Sequence, residues 1–173
     1  MKRSVFCVLL GVLALGCYSD KGLSPPGNIP GIQGKITFLN AWPDSTRLVM
    51  TVAMKHYPAG ITDDDSLLDF ITDAFYSGGL AYSEPIPSGS ESHNYRMSLE
   101  PGLYEWILVV WFPDIEDYFF GVKELGAYYK DKEIDLPTPV EVRPGVMMEG
   151  IDIIADMNNV YRDTHFFKTG RGS

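Results

Sequence analysis

Cysteine, histidine and basic residues are scarce in this sequence: 2 Cys, 3 His and 14 Lys plus Arg among 173 residues. Cys7 lies in an apolar leader, which leaves Cys17 alone beyond it. A disulfide or a zinc–thiolate site needs more than one thiol, so neither can form in the domain that follows. His56, His93 and His165 stand far apart, and no spacing joins them to a Ser or an Asp. Neither Gly-x-Ser-x-Gly nor His-Glu-x-x-His occurs, so two common hydrolase signatures are missing. Acidic residues number 23, and once Lys2 and Arg3 of the leader are set aside 12 basic ones oppose them, a net charge of about −11. Such a surface repels phosphate backbones and anionic headgroups, which excludes nucleic acid as a partner. No cofactor motif is present.

Long apolar runs are also scarce. The richest lies within "LEPGLYEWILVVWFPD", residues 99–114. Its apolar centre, Leu103 to Phe112, would reach only about 15 Å as a helix, against a hydrocarbon core of about 30 Å. As a strand it would reach about 33 Å. With Tyr104, Trp106, Leu108, Val110 and Phe112 on one face and Ile107, Val109 and Trp111 on the other, it reads as a central strand covered on both sides.

What the chain does have begins with an address. Lys2 and Arg3 precede an apolar run from Val5 to Leu15 and then Gly16, the layout of a secretory signal over residues 1–16. "LALGC" resembles the bacterial lipobox, in which a small residue precedes a Cys that is lipidated and becomes the mature N-terminus. The resemblance implies acyl chains on Cys17 and membrane attachment through them; an ordinary secretory cut is the alternative. Stable anchoring takes more than one acyl chain. Tyr18 stands where enteric lipoproteins held at the inner membrane carry Asp, so the resemblance points to the outer membrane. Residues 17–31 hold the run "YSDKGLSPPGNIPG", too rich in Pro, Gly and polar groups to fold, and read as a flexible tether.

One domain of ordinary size is left, residues 32–157, with a polar tail over 158–173. Gly34, Ile36 and Phe38 alternate with polar neighbours, as in a half-buried strand. "WPDSTR" supplies a turn, and Leu48, Met50, Val52 and Met54 then alternate as the inward face of a second strand, expected beside the first. Leu67, Leu68, Phe70, Ile71 and Phe75 recur at helical spacing behind an Asp run, giving one short helix near residues 63–76 that Gly78-Gly79 ends. "LAYSEPI" reads as an edge strand. "HNYRMSLE" follows with Tyr95, Met97 and Leu99 inward, then Pro101-Gly102 with the residues of a type II turn. "DYFFGVKELGAYY" reads as a strand with a bulge or bend. "VEVRPG" and "MMEGIDIIAD" read as a closing pair, with Ile151, Ile153 and Ala155 inward. The expectation is an all-β, antiparallel sandwich of seven to eight strands.

"GKITF", "YRMSLEPGLYEWILVV" and "VEVRPGVMMEGIDIIAD", in this order, resemble the transthyretin-like (prealbumin-like) sandwich of carboxypeptidase regulatory-like domains. That resemblance implies a stabilising, spacing or binding module with no shared catalytic residues. The last three residues, Arg171 to Ser173, resemble the C-terminus of 5-hydroxyisourate hydrolases, but Gly170 replaces the family's Tyr and its N-terminal His motif is missing.

Two functional readings therefore stand beside that remote enzyme. The first is a tethered, non-enzymatic envelope lipoprotein that serves as a structural or protein-interaction module. The second is a carbohydrate-binding module in which Trp42, Trp111, Tyr118, Tyr128 and Tyr129 stack on sugar rings, although aromatics also build β cores. Asp63, Asp64 and Asp65 are candidate calcium ligands by chemistry but lack EF-hand spacing; a helix start or a solvated loop is the competing account.

Overall fold

A computed structural model of the chain describes residues 29–61, 63–116, 118–130, 136–164 and 166. The expected signal sequence, Cys17, most of the expected tether, His165, Arg171 and Ser173 lie outside the described residues.

The fold is an all-β sandwich with one short helix. The first sheet has the order β10-β1-β4, built from β1 (Gly31–Leu39), β4 (Ser92–Ser98) and β10 (Ile153–Asp156), with β9 (Met147–Met148) also paired to β1. The second has the order β3-β2-β6-β7, from β2 (Thr46–Met54), β3 (Leu80–Tyr82), β6 (Trp106–Pro113) and β7 (Lys123–Ala127). A separate ribbon joins β5 (Gly102–Tyr104) to β8 (Val140–Val142). Between the sheets lies a core with Ile32 and Ile36 from β1, Val49 and Ala53 from β2, Ile107 and Val109 from β6, and Ile153 from β10. Its alternating residues come from both inner faces, as expected for a sandwich.

A second apolar layer covers the opposite face of the β3-β2-β6-β7 sheet, where Val52, Met54, Trp106, Leu108 and Val110 meet Leu67 of helix α1 (Asp64–Ser77). The helix begins where the sequence places it, because the Asp63 carboxylate accepts from the Ser66 N–H at 2.8 Å. It ends at Gly78, whose φ of 73° is left-handed and whose N–H turns back onto the last carbonyls.

Several local expectations change. β1 and β2 are not neighbours but sit in different sheets, because the "WPDSTR" segment is an arch across the sandwich and not a hairpin. Asn40 starts that arch at φ 67° and is held by Asp156 at 2.6 Å. The pairing is not wholly antiparallel, since β1 runs parallel to both β9 and β10. The closing segments do not pair with each other: β8 joins β5, while β9 and β10 join β1. β2 also turns the other way from the expectation. Val49, Thr51 and Ala53 are buried toward the first sheet, and Met50, Val52 and Met54 face the helix. Both faces of β2 are covered, so alternation alone could not say which one meets the main core.

The apolar stretch of residues 99–114 holds two strands. Glu105 separates β5 from β6, so Tyr104 packs into the inter-sheet core while Trp106 packs under α1. Gly102, at φ 155°, opens β5 and does not take the left-handed place of a type II turn. From Trp106 onward the strand is central and buried on both faces. "DYFFGVKELGAYY" is not one strand: Tyr118–Gly121 is a 3-10 helix and only Lys123–Ala127 is β7, whose bulge falls at Leu125, since Val110 pairs with Glu124 and Val109 with Gly126.

Candidate functional site

The helix does not cover its sheet evenly, and the gap it leaves is the candidate site. Leu67 near the start of α1 is 5% exposed, Leu68 and Ile71 are half-buried, and Phe75 and Tyr76 near its end are 51% and 82% exposed. Burial falls along the helix, and of the apolar strand side chains beneath it Val52, Met54, Leu108 and Val110 are buried while Leu48, Met50 and Phe112 are half-buried. An apolar groove of about 510 Å³ results, within the range of ~300–1,000 Å³ typical of small-ligand sites.

The floor consists of Leu48, Met50, Val52 and Met54 from β2 with Leu108 and Val110 from β6, and one wall is Ile71 and Phe75 of α1. Those strand residues point away from the sandwich core because Val49, Ala53, Ile107 and Val109, one position along, fill it. The hydroxyls of the lining belong to Thr72, Tyr76, Tyr82 and Tyr118. Rings flank the groove on two sides. At one, Phe75 stacks on Tyr82 with centroids 6.4 Å apart and meets Tyr76 edge-on at 5.6 Å. At the other, Phe112 meets Tyr118 at 6.0 Å, and the Arg47 guanidinium lies 4.4 Å above the Tyr118 ring. Arg47 also pairs loosely with Asp114 at 3.8 Å.

Glu124 and Tyr57 form a polar patch beside the apolar layer on the helix side of the sheet. Glu124 is 2% exposed, and the Tyr57 phenol is pushed up to about 12, first by burial and then by the negative charge of Glu124. Tyr57 meets Trp106 edge-on at 5.5 Å. His56 lies at the surface 3.9 Å from Glu105, and His93 is half-buried on β4.

The five aromatic candidates are not brought together. Trp42 packs on Phe38 at 4.7 Å and donates to the Ser90 carbonyl. Trp111, 6% exposed, is part of the inter-sheet core and donates to Thr46 Oγ1. Tyr128 packs against that same core and Tyr129 against the helix-side layer. Tyr118 alone of the five lines the groove. Asp63 is engaged as the helix cap, Asp65 is exposed on the first turn, and no group of three metal-ligating side chains comes together among the described residues. No helix among those residues is long and apolar enough to cross a membrane.

Sequence reading missed the groove because Met50, Val52 and Met54 pass for ordinary core and Phe75 for an ordinary helix face. Its trace was a surplus: two strands apolar on both sides, and a helix with more large apolar residues than one contact stripe needs. Fold and site define a β-sandwich with an apolar groove between one sheet and a covering helix. No protein-family model matches the chain, and no curated protein or solved structure matches it.

Proposed function

We propose that this chain is a membrane-tethered, non-enzymatic binding module of the bacterial envelope, held by acyl chains on Cys17, toward the outer membrane, with the α1 groove as its working surface. The observation that carries the reading is the groove itself: an open apolar groove flanked by rings on two sides, on a domain whose two sheets already share a filled core. Its open part, where Leu48, Met50 and Phe112 are half-buried and Phe75 and Tyr82 exposed, is apolar surface on an otherwise acidic domain, and such surface marks a place where something binds. The sequence features that resemble a transthyretin-like sandwich support the same role, since those domains serve as spacing and binding modules. Dispersal of the aromatic candidates favours an apolar partner over a sugar surface.

The test is binding of the neutral apolar dye Nile red to the full chain. Binding that is lost in Met50→Glu, in the floor, and kept in Ile154→Glu, an exposed position on β10 outside the groove, supports the reading. Equal binding by both variants would refute it. Thr72→Trp, which fills the groove from the helix side, gives a second blocked variant.

A further inference from the structure

The groove also restricts the chemistry of its occupant. Its floor is the face of β2 and β6, whose backbone is engaged in the β2–β3, β2–β6 and β6–β7 ladders. Its wall is the side of α1, whose backbone amides and carbonyls are used within the helix. A peptide or a sugar laid along that floor would bury amides or hydroxyls with no partner, which is costly. A hydrocarbon tail has none to bury.

Length agrees with a single tail. Leu48 to Met54 line the groove along β2, about 20 Å at strand rise. One leaflet's acyl chains span half of a ~30 Å hydrocarbon core, roughly 15 Å. Met50 and Met54, with flexible and polarizable thioethers, suit a chain of variable kink.

Charge decides the head. Arg47 adjoins the Leu48 end, its guanidinium over Tyr118, which itself lines the groove. The carboxylate facing it is Asp114, at 3.8 Å, with the two side chains 46% and 70% exposed. An exposed pair at that distance is weak, and Arg favours two-pronged contact with a carboxylate. We infer that the groove binds a single-chain fatty acid, its tail along β2 and β6 beneath α1 and its carboxylate on Arg47 in place of Asp114. The inference rests on the groove being the working surface and goes further by naming the ligand class.

The experiment compares oleate with oleyl alcohol as competitors that displace Nile red from the full chain. Oleate should displace it from the wild type, and Arg47→Gln should weaken oleate by about tenfold or more while leaving the alcohol unchanged. Arg47→Lys, which keeps the charge, should restore most of the preference. Circular dichroism of each variant shows whether it is folded, and Asp114→Asn should strengthen oleate by freeing Arg47. If Arg47→Gln weakens acid and alcohol equally, the assigned head position is wrong. If Nile red binds but oleate fails to displace it, the fatty-acid inference falls while the groove reading survives. If the dye does not bind at all, both fall.

Discussion

Tyr95 Oη donates to the carbonyl oxygen of Ile151 at 2.7 Å inside the inter-sheet core, and the ring reaches that oxygen across β1, where Gly34 is its register partner. Ile151 in turn donates its N–H to Gln33 at 3.2 Å. A Cβ at Gly34 would overlap the Ile151 backbone. The missing side chain thus lets the segment leading into β10 lie close against β1, and the Tyr95 hydroxyl fastens it there.

Tyr95→Phe should therefore cost about 1–3 kcal/mol, because a buried carbonyl loses its donor. Gly34→Ala should cost about 1–3 kcal/mol or more, since the clash is with backbone and cannot be relieved by rotating a side chain. Urea unfolding of the two variants checks both. A Gly34→Ala protein as stable as wild type would mean that the close approach does not exist.

Alkaline pH should unfold the domain earlier than exposed tyrosines would. Burial first, and nearby charge second, raise Tyr57 from 10.0 to about 12 and raise Tyr95 beyond it. In the unfolded chain both ionise near the ordinary value, so above pH 10 the unfolded state holds fewer protons than the native one. Stability then falls as pH rises from about 10 through about 12. The unfolding free energy followed across that window, beside phenolate absorbance, tests the sign. A curve that stays level, or that Tyr57→Phe with Tyr95→Phe leaves as steep as before, would contradict it.

Asp63 should act through the helix and not through calcium. Its carboxyl is held below the usual carboxylate range, chiefly by the backbone N–H of Ser66. Its stabilising effect is present above the ordinary pKa of about 4 and is lost as pH falls through the lowered value. Asp63→Ala should lower the melting temperature at neutral pH, and the gap from wild type should close in strong acid. Millimolar calcium should shift neither protein. A calcium-dependent rise in the wild type alone would restore the metal reading.

For the anchor, palmitate should label the wild type in cells and not Cys17→Ser. Equal labelling would remove the lipid and with it the tethered placement, yet would leave the groove assays unaffected.

Much of the fold was legible because its signals are local. Asp63, the apolar spacing behind it and Gly78 mark the helix, and Tyr95, Met97 and Leu99 alternate as they are buried. The candidate site was less so. The aromatic positions singled out from sequence are mostly packed into the two apolar layers, whereas Met50 and Val110 line the groove and look ordinary in a string of letters.

The sequence by itself determined a β-rich domain with a short capped helix and an acidic composition, since composition and residue periodicity act within a few positions along the chain. Tertiary structure alone decided that β1 and β2 belong to different sheets, that β9 and β10 run parallel to β1, and that α1 covers only part of the second sheet. An arch and a hairpin leave the same local pattern. A strand buried on both sides does not say which side meets a sheet and which a helix, because that depends on residues tens of positions away competing for the same surface.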